Sequence, residues 1–89
     1  MRIAYSRRAL TQLASVYEYL VDRSPNGASN VTTSIRQRIA RLEHLPLLGK
    51  PTDERGVYVL IEPKYRYCVF YKVHVDLVTV IRILHGSQR

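Results

Sequence analysis

The residues of this chain that could do chemistry are few, and they gather in its C-terminal half: Arg66, Cys68, Arg82 and His85. Arg82 interrupts the apolar run Val78–Leu84, and an arginine amid strand apolars needs an anion or an acidic partner. His85 closes that run beside Gly86, the one histidine placed where a site would naturally form. Cys68 sits in mid-strand and reads as core. His44, His74 and His85 are scattered, and with a single cysteine they make no metal set. The four glycines stand apart and form no phosphate-cradling loop. No metal and no cofactor is expected.

These side chains must be positioned by short elements. Ile3-Ala4-Tyr5 reads as an opening strand, with Ser6 at a helix N-cap position. Leu10, Leu13, Val16, Tyr17 and Leu20 then recur at helical spacing, and Ser24-Pro25-Asn26-Gly27 reads as the turn that ends the helix. Ala28, Val31, Ile35, Ile39 and Leu42 mark one face of a second helix, with Arg36, Arg38 and Arg41 on its other sides. Residues 47–56 read as a loop. Val57–Glu62, Tyr65–Val73 and Leu77–His85 are rich in β-branched and aromatic residues and are joined by short turns, so they form an antiparallel meander. The order β-α-α-β-β-β predicts an α+β fold, a helical hairpin packed on a small antiparallel sheet, in one domain spanning residues 1–89.

The chain has 89 residues and a net charge of +7. In so small a domain that field favours an acidic partner, whether nucleic acid, protein segment or nucleoprotein. The N-terminus lacks the apolar core of a signal peptide, and no apolar run is long enough to span a membrane. A cytoplasmic protein is expected.

The strands lack the alternation of a sheet with one wet face. Val57, Val59 and Ile61 point one way, and Tyr58 and Leu60 the other. Tyr67, Val69 and Tyr71 share one face, while Cys68 and Phe70 share the opposite one. Two helices can cover only one of these faces. The second needs another cover, either a partner chain or the loop of residues 47–56. The seven tyrosines alternate across strands and helices and read as core, unlike the exposed aromatics over a basic face that a nucleic-acid-binding platform needs.

Tyr67-Cys68-Val69-Phe70-Tyr71-Lys72-Val73, followed by Val80-Ile81-Arg82-Ile83-Leu84-His85-Gly86, resembles the ending shared by ParE-type toxins. Pro46-Leu47-Leu48-Gly49-Lys50-Pro51 resembles the loop after their second helix, and Tyr5-Ser6-Arg7-Arg8-Ala9 is similar to their strand-to-helix junction. Across nearly its whole length the chain resembles the RelE/ParE toxin superfamily of type II toxin–antitoxin systems, on its ParE side. The resemblance implies a toxin, of the kind linked to plasmid stabilization, held silent by an antitoxin whose acidic segment folds across it. Val59, Ile61, Cys68 and Phe70 would then line the antitoxin groove, and Arg36, Arg38 and Arg41 would steer the acidic segment.

Arg66, Arg82, His85, Gly86 and Arg89 would face the target. For ParE-like members that target is DNA gyrase, which they poison without known hydrolytic chemistry. The alternative is RelE-like cleavage of messenger RNA on the ribosome, for which Arg82 and His85 would be the catalytic pair. The lysines and arginine of RelE-like ribonucleases are matched here by Val59, Ile61 and Cys68, which favours the binding protein over the enzyme. A small basic nucleic-acid-binding module remains a third reading.

Overall fold

The computed structural model describes residues 1–88, so Arg89, one of the expected target-facing residues, lies outside the described residues. Ser6 sets the first boundary. Its hydroxyl accepts from the Ala9 N–H at 3.0 Å, pairing one of the donors that a helix start leaves unsatisfied. Strand β1 (Arg2–Tyr5) therefore gives way to helix α1 (Arg7–Val21).

Ser24 repeats the device, accepting from the Gly27 N–H at 3.0 Å, with Pro25 as the first residue of α2 (Pro25–Ala40). The segment expected as a turn, Ser24–Gly27, is thus a cap and a first helical turn. Proline breaks a helix interior, but at its first position the missing N–H costs nothing and the fixed φ fits.

Four further strands follow, β2 (Lys50–Pro51), β3 (Val57–Glu62), β4 (Tyr67–Val73) and β5 (Leu77–His85). They join β1 in one sheet of order β1-β5-β4-β3-β2. The meander of β3, β4 and β5 is antiparallel as expected, but the sheet is mixed. β1 runs parallel to β5, from Arg2 opposite Leu77 to Tyr5 opposite Val80. The segment read as a loop also contributes, since Lys50 and Pro51 pair with Val59 and Tyr58. Runs of two and four residues carry no period of their own, so tertiary contact decides their pairing.

The helical hairpin covers one face of the sheet. Ala9 and Leu13 of α1 and Val31, Ile35 and Ile39 of α2 pack with Leu60, Val69, Tyr71, Val78, Val80 and Ile83. Leu10 and Tyr17, expected in the α1 stripe, fall outside it and are 47% and 42% exposed. Tyr71 is fully buried, stacks on Tyr58 with ring centroids 5.5 Å apart, and accepts from the Gly49 N–H at 2.9 Å. A Cβ at Gly49 would lie 2.6 Å from the Val59 carbonyl oxygen and 2.8 Å from the Tyr71 hydroxyl. Glycine is what lets the chain after α2 lie this close to the sheet.

Two local features position the site. Glu62, 2% exposed, uses its carboxylate to hold the β3–β4 turn. It accepts from the Tyr65 N–H at 2.7 Å and the Lys64 N–H at 3.2 Å, and from the Ser34 hydroxyl of α2 at 2.6 Å. The second feature is a bulge. Phe70 pairs with Arg82 while Tyr71 pairs with Val80, leaving Ile81 as an extra residue in β5. Val78 and Val80 therefore face the helices, Ile81 and Leu84 pack on the opposite face, and Ile83 faces the helices again.

Candidate functional site

The second apolar face is real, and the chain closes most of it by itself. Val57, Val59, Cys68 and Phe70 form a separate buried cluster, with Ile81 and Leu84 packed against it. The bulge aims Arg82 at this face, where its guanidinium sits 4.2 Å from the Phe70 ring centroid, close enough for a cation–π contact. Its Nη1 donates to Glu54 Oε2 at 3.4 Å, bringing the loop before β3 over the sheet. The anion that Arg82 requires is therefore supplied within the chain. Of the expected groove residues, Val59, Cys68 and Phe70 are buried, whereas Ile61 is 40% exposed.

Ile61 is also where one of the α2 arginines arrives. Arg38 Nε donates to the Ile61 carbonyl at 3.1 Å, along the part of β3 that β2 does not reach. Arg36 lies elsewhere, 5.5 Å from the Tyr5 ring centroid. Burial pushes the Tyr5 phenol above its ordinary range, and Arg36 partly opposes this. Arg36 and Arg41 are exposed and Arg38 is half-buried. The three expected steering residues thus give one contact at the open strand edge and two solvent-facing charges.

The end of β5 forms a different cluster on the helix-facing side. His85 meets Tyr67 edge-on, with ring centroids 5.1 Å apart. The Ser87 N–H and the His85 Nδ1 atom are 3.2 Å apart, and the Ser87 hydroxyl lies 2.9 Å from the same nitrogen. With Nδ1 accepting, the neutral ring carries its hydrogen on Nε2. Burial raises the Tyr67 phenol above its ordinary range, and the charge of Glu62 adds to this, so Tyr67 is a neutral hydroxyl at physiological pH. The Gly86 N–H donates to the Arg66 carbonyl at 2.7 Å. Arg66 itself adopts φ 65°, an uncommon conformation for a residue with a Cβ, and it is exposed. Arg66, His85 and Gly86 therefore belong together, while Arg82 stands on the other face.

That separation bears on whether the two residues can act as a pair. Arg82 reaches the Phe70 cluster and His85 reaches Tyr67 on the helix side, so the sheet lies between the cation and the imidazole. They are not assembled around one phosphate, as general acid–base cleavage would require. The spacing carried the signal, because residues three apart in a strand point to opposite faces.

An open cleft that sequence reasoning did not identify lies beside His85. It has a volume of about 640 Å³, and Gln12, Tyr19, Tyr67, His85, Ser87 and Gln88 are among its lining residues. Tyr19, expected in the core, is 63% exposed. No group of three His, Cys, Asp or Glu side chains among the described residues is placed to hold a metal. No helix among them is long and apolar enough to cross a membrane.

Residues 3–89 match the family described as ParE toxin of type II toxin-antitoxin system, parDE. A Sinorhizobium fredii (strain NBRC 101917 / NGR234) protein, Y4kP, described as a candidate toxin, is 25% identical over 88 residues, which cover 99% of this chain and 91% of that protein. The fold matches a structure of the chromosomal ParDE TA system from P. aeruginosa with a TM-score of 0.87 and 20% identity, over 96% of this chain and 95% of that one.

Proposed function

The chain belongs to the ParE toxin family of type II toxin–antitoxin systems, and from that membership we propose that it inhibits DNA gyrase by binding and is neutralised by an acidic-tailed antitoxin. The observation that carries the binding mode is the placement of Arg82 and His85 on opposite faces of the sheet. Removing one group that stabilises charge in a transition state costs factors of hundreds to thousands in rate. A ribonuclease that drew on Arg82 and His85 as its cation and imidazole would be correspondingly slow. Purified toxin is expected to reduce gyrase supercoiling or to accumulate cleaved DNA, while ribosome-bound messenger stays intact. Codon-positioned messenger cleavage that disappears in His85→Ala would replace this reading with the ribonuclease one.

The antitoxin half of the proposal is supported by the net charge of +7 and by the exposed Arg36 and Arg41, with Arg38 half-buried between them. Charges at the rim of an interface act mainly on the rate of encounter. Converting Arg36, Arg38 and Arg41 together to glutamine is expected to slow association with the antitoxin and flatten its dependence on salt, with a smaller change in dissociation. A parent association rate indifferent to salt would count against steering.

A further inference from the structure

The edge of β5 is covered by its neighbour only part of the way. β1 pairs with it as far as Tyr5 opposite Val80, and the chain then turns away into α1. Beyond that point the outward N–H groups of β5 are met by side chains. Gln12 Oε1 accepts from the Ile83 N–H at 2.7 Å, and Gln88 Oε1 accepts from the His85 N–H at 2.9 Å. With each carbonyl oxygen held on the strand, each amide is left with its NH₂ as a donor. Both glutamines line the 640 Å³ cleft.

The other components of the cleft are aromatic. Tyr19, Tyr67 and His85 line it, with Val16, Ile83 and Leu84 as apolar wall, and none of its lining residues is acidic. Arg23 stands at the rim. Its guanidinium lies 4.1 Å from the Tyr19 ring centroid and is tied there by donation from Nη1 to the Tyr19 carbonyl at 2.7 Å. Arg66 adds a second exposed cation where its carbonyl holds Gly86.

We propose that this cleft binds an unpaired nucleobase of single-stranded nucleic acid, stacked on Tyr19 and read at its edge by the amides of Gln12 and Gln88, with Arg23 and Arg66 on the flanking phosphates. Base–aromatic stacking beside cationic side chains is how single strands are held without sequence preference. A base inside a duplex offers no free ring face, so duplex DNA does not satisfy this site. The neutral Tyr67 hydroxyl and the Nε2 hydrogen of His85 supply further donors to base nitrogen or oxygen acceptors. The site goes beyond the proposed action on gyrase and does not depend on it.

The test is fluorescence anisotropy with the chain alone, using a labelled hexathymidylate and a labelled GC-rich blunt duplex of about sixteen base pairs, long enough to stay paired, at 150 mM salt. The single strand is expected to bind about tenfold more tightly than the duplex, and Tyr19→Ala to weaken single-strand binding by a further factor of about ten. Tyr17→Ala, exposed on the same helix but outside the cleft, should leave binding unchanged. Both tyrosines lie largely outside the core, so circular dichroism should confirm intact folding. Equal affinity for strand and duplex, or a Tyr19→Ala variant that binds like the parent, would reduce the interaction to general charge attraction and overturn the site. Gyrase inhibition is read in a separate assay, so the two proposals fail independently.

Discussion

Replacing Glu62 with alanine is expected to cost about 3 kcal/mol of folding stability, because each buried donor deprived of its acceptor costs about 1–3 kcal/mol. Three donors lose their partner at once: the Ser34 hydroxyl and the N–H groups of Lys64 and Tyr65. Lys64 is exposed and Ser34 half-buried, so water repairs part of the loss, which keeps the sum near the cost of one deeply buried group. In a domain of this size such a loss is a large fraction of the total, which for proteins in general is about 5–15 kcal/mol. Glu62→Gln keeps the shape and one acceptor oxygen but brings an NH₂ toward a donor, and should cost about half as much. Urea denaturation measures both. A shift below about 0.5 kcal/mol, the ordinary range of surface substitutions, would mean that the turn stands without its carboxylate.

Phe70→Ala and Ile61→Asp should separate the interior of the outer face from its rim. Truncating Phe70, 6% exposed, removes the ring beneath Arg82 and opens a cavity, for which about 3 kcal/mol is expected. Ile61→Asp alters a strand side chain that is 40% exposed and should cost about 1 kcal/mol, the span of strand propensity, well below the Phe70 truncation. If the antitoxin crosses this edge, the same change removes an apolar contact and places a like charge before an acidic segment. About 1.4–2.8 kcal/mol, a factor of ten to a hundred in Kd, is then expected. Denaturation and titration with the cognate antitoxin read the two effects separately. Unchanged antitoxin affinity in a folded Ile61→Asp variant would remove this edge from the interface.

The division of the β3 and β4 side chains between two faces was legible in the sequence, because strict alternation is a geometric property of an extended chain. Val59, Cys68 and Phe70 do share a face, and Leu60, Val69 and Tyr71 share the other. The buried positions of α2, from Ala28 to Ile39, and Leu42 in the 3-10 turn just after it, were legible for the same kind of reason. The covering of the outer face was not, because it depends on one extra residue in β5 and on Glu54, which lies in a segment without any period. Nor was the parallel place of β1, whose four residues could pair equally well in either direction. The cleft was hidden because Gln12 and Gln88 are polar residues 76 positions apart, brought together by the edge that β1 leaves uncovered.

The extra residue in β5 has a consequence for comparing this chain with others. It acts as a phase shift: upstream of Ile81 even-numbered positions look toward the helices, and downstream odd-numbered ones do. What the C-terminal segment displays is therefore governed by whether the strand bulges as much as by which residues it holds. A related chain of the same length whose last strand ran without the bulge would carry its arginine into the interior and turn its histidine outward. Aligning such chains letter by letter would then equate residues that occupy opposite sides of the same sheet.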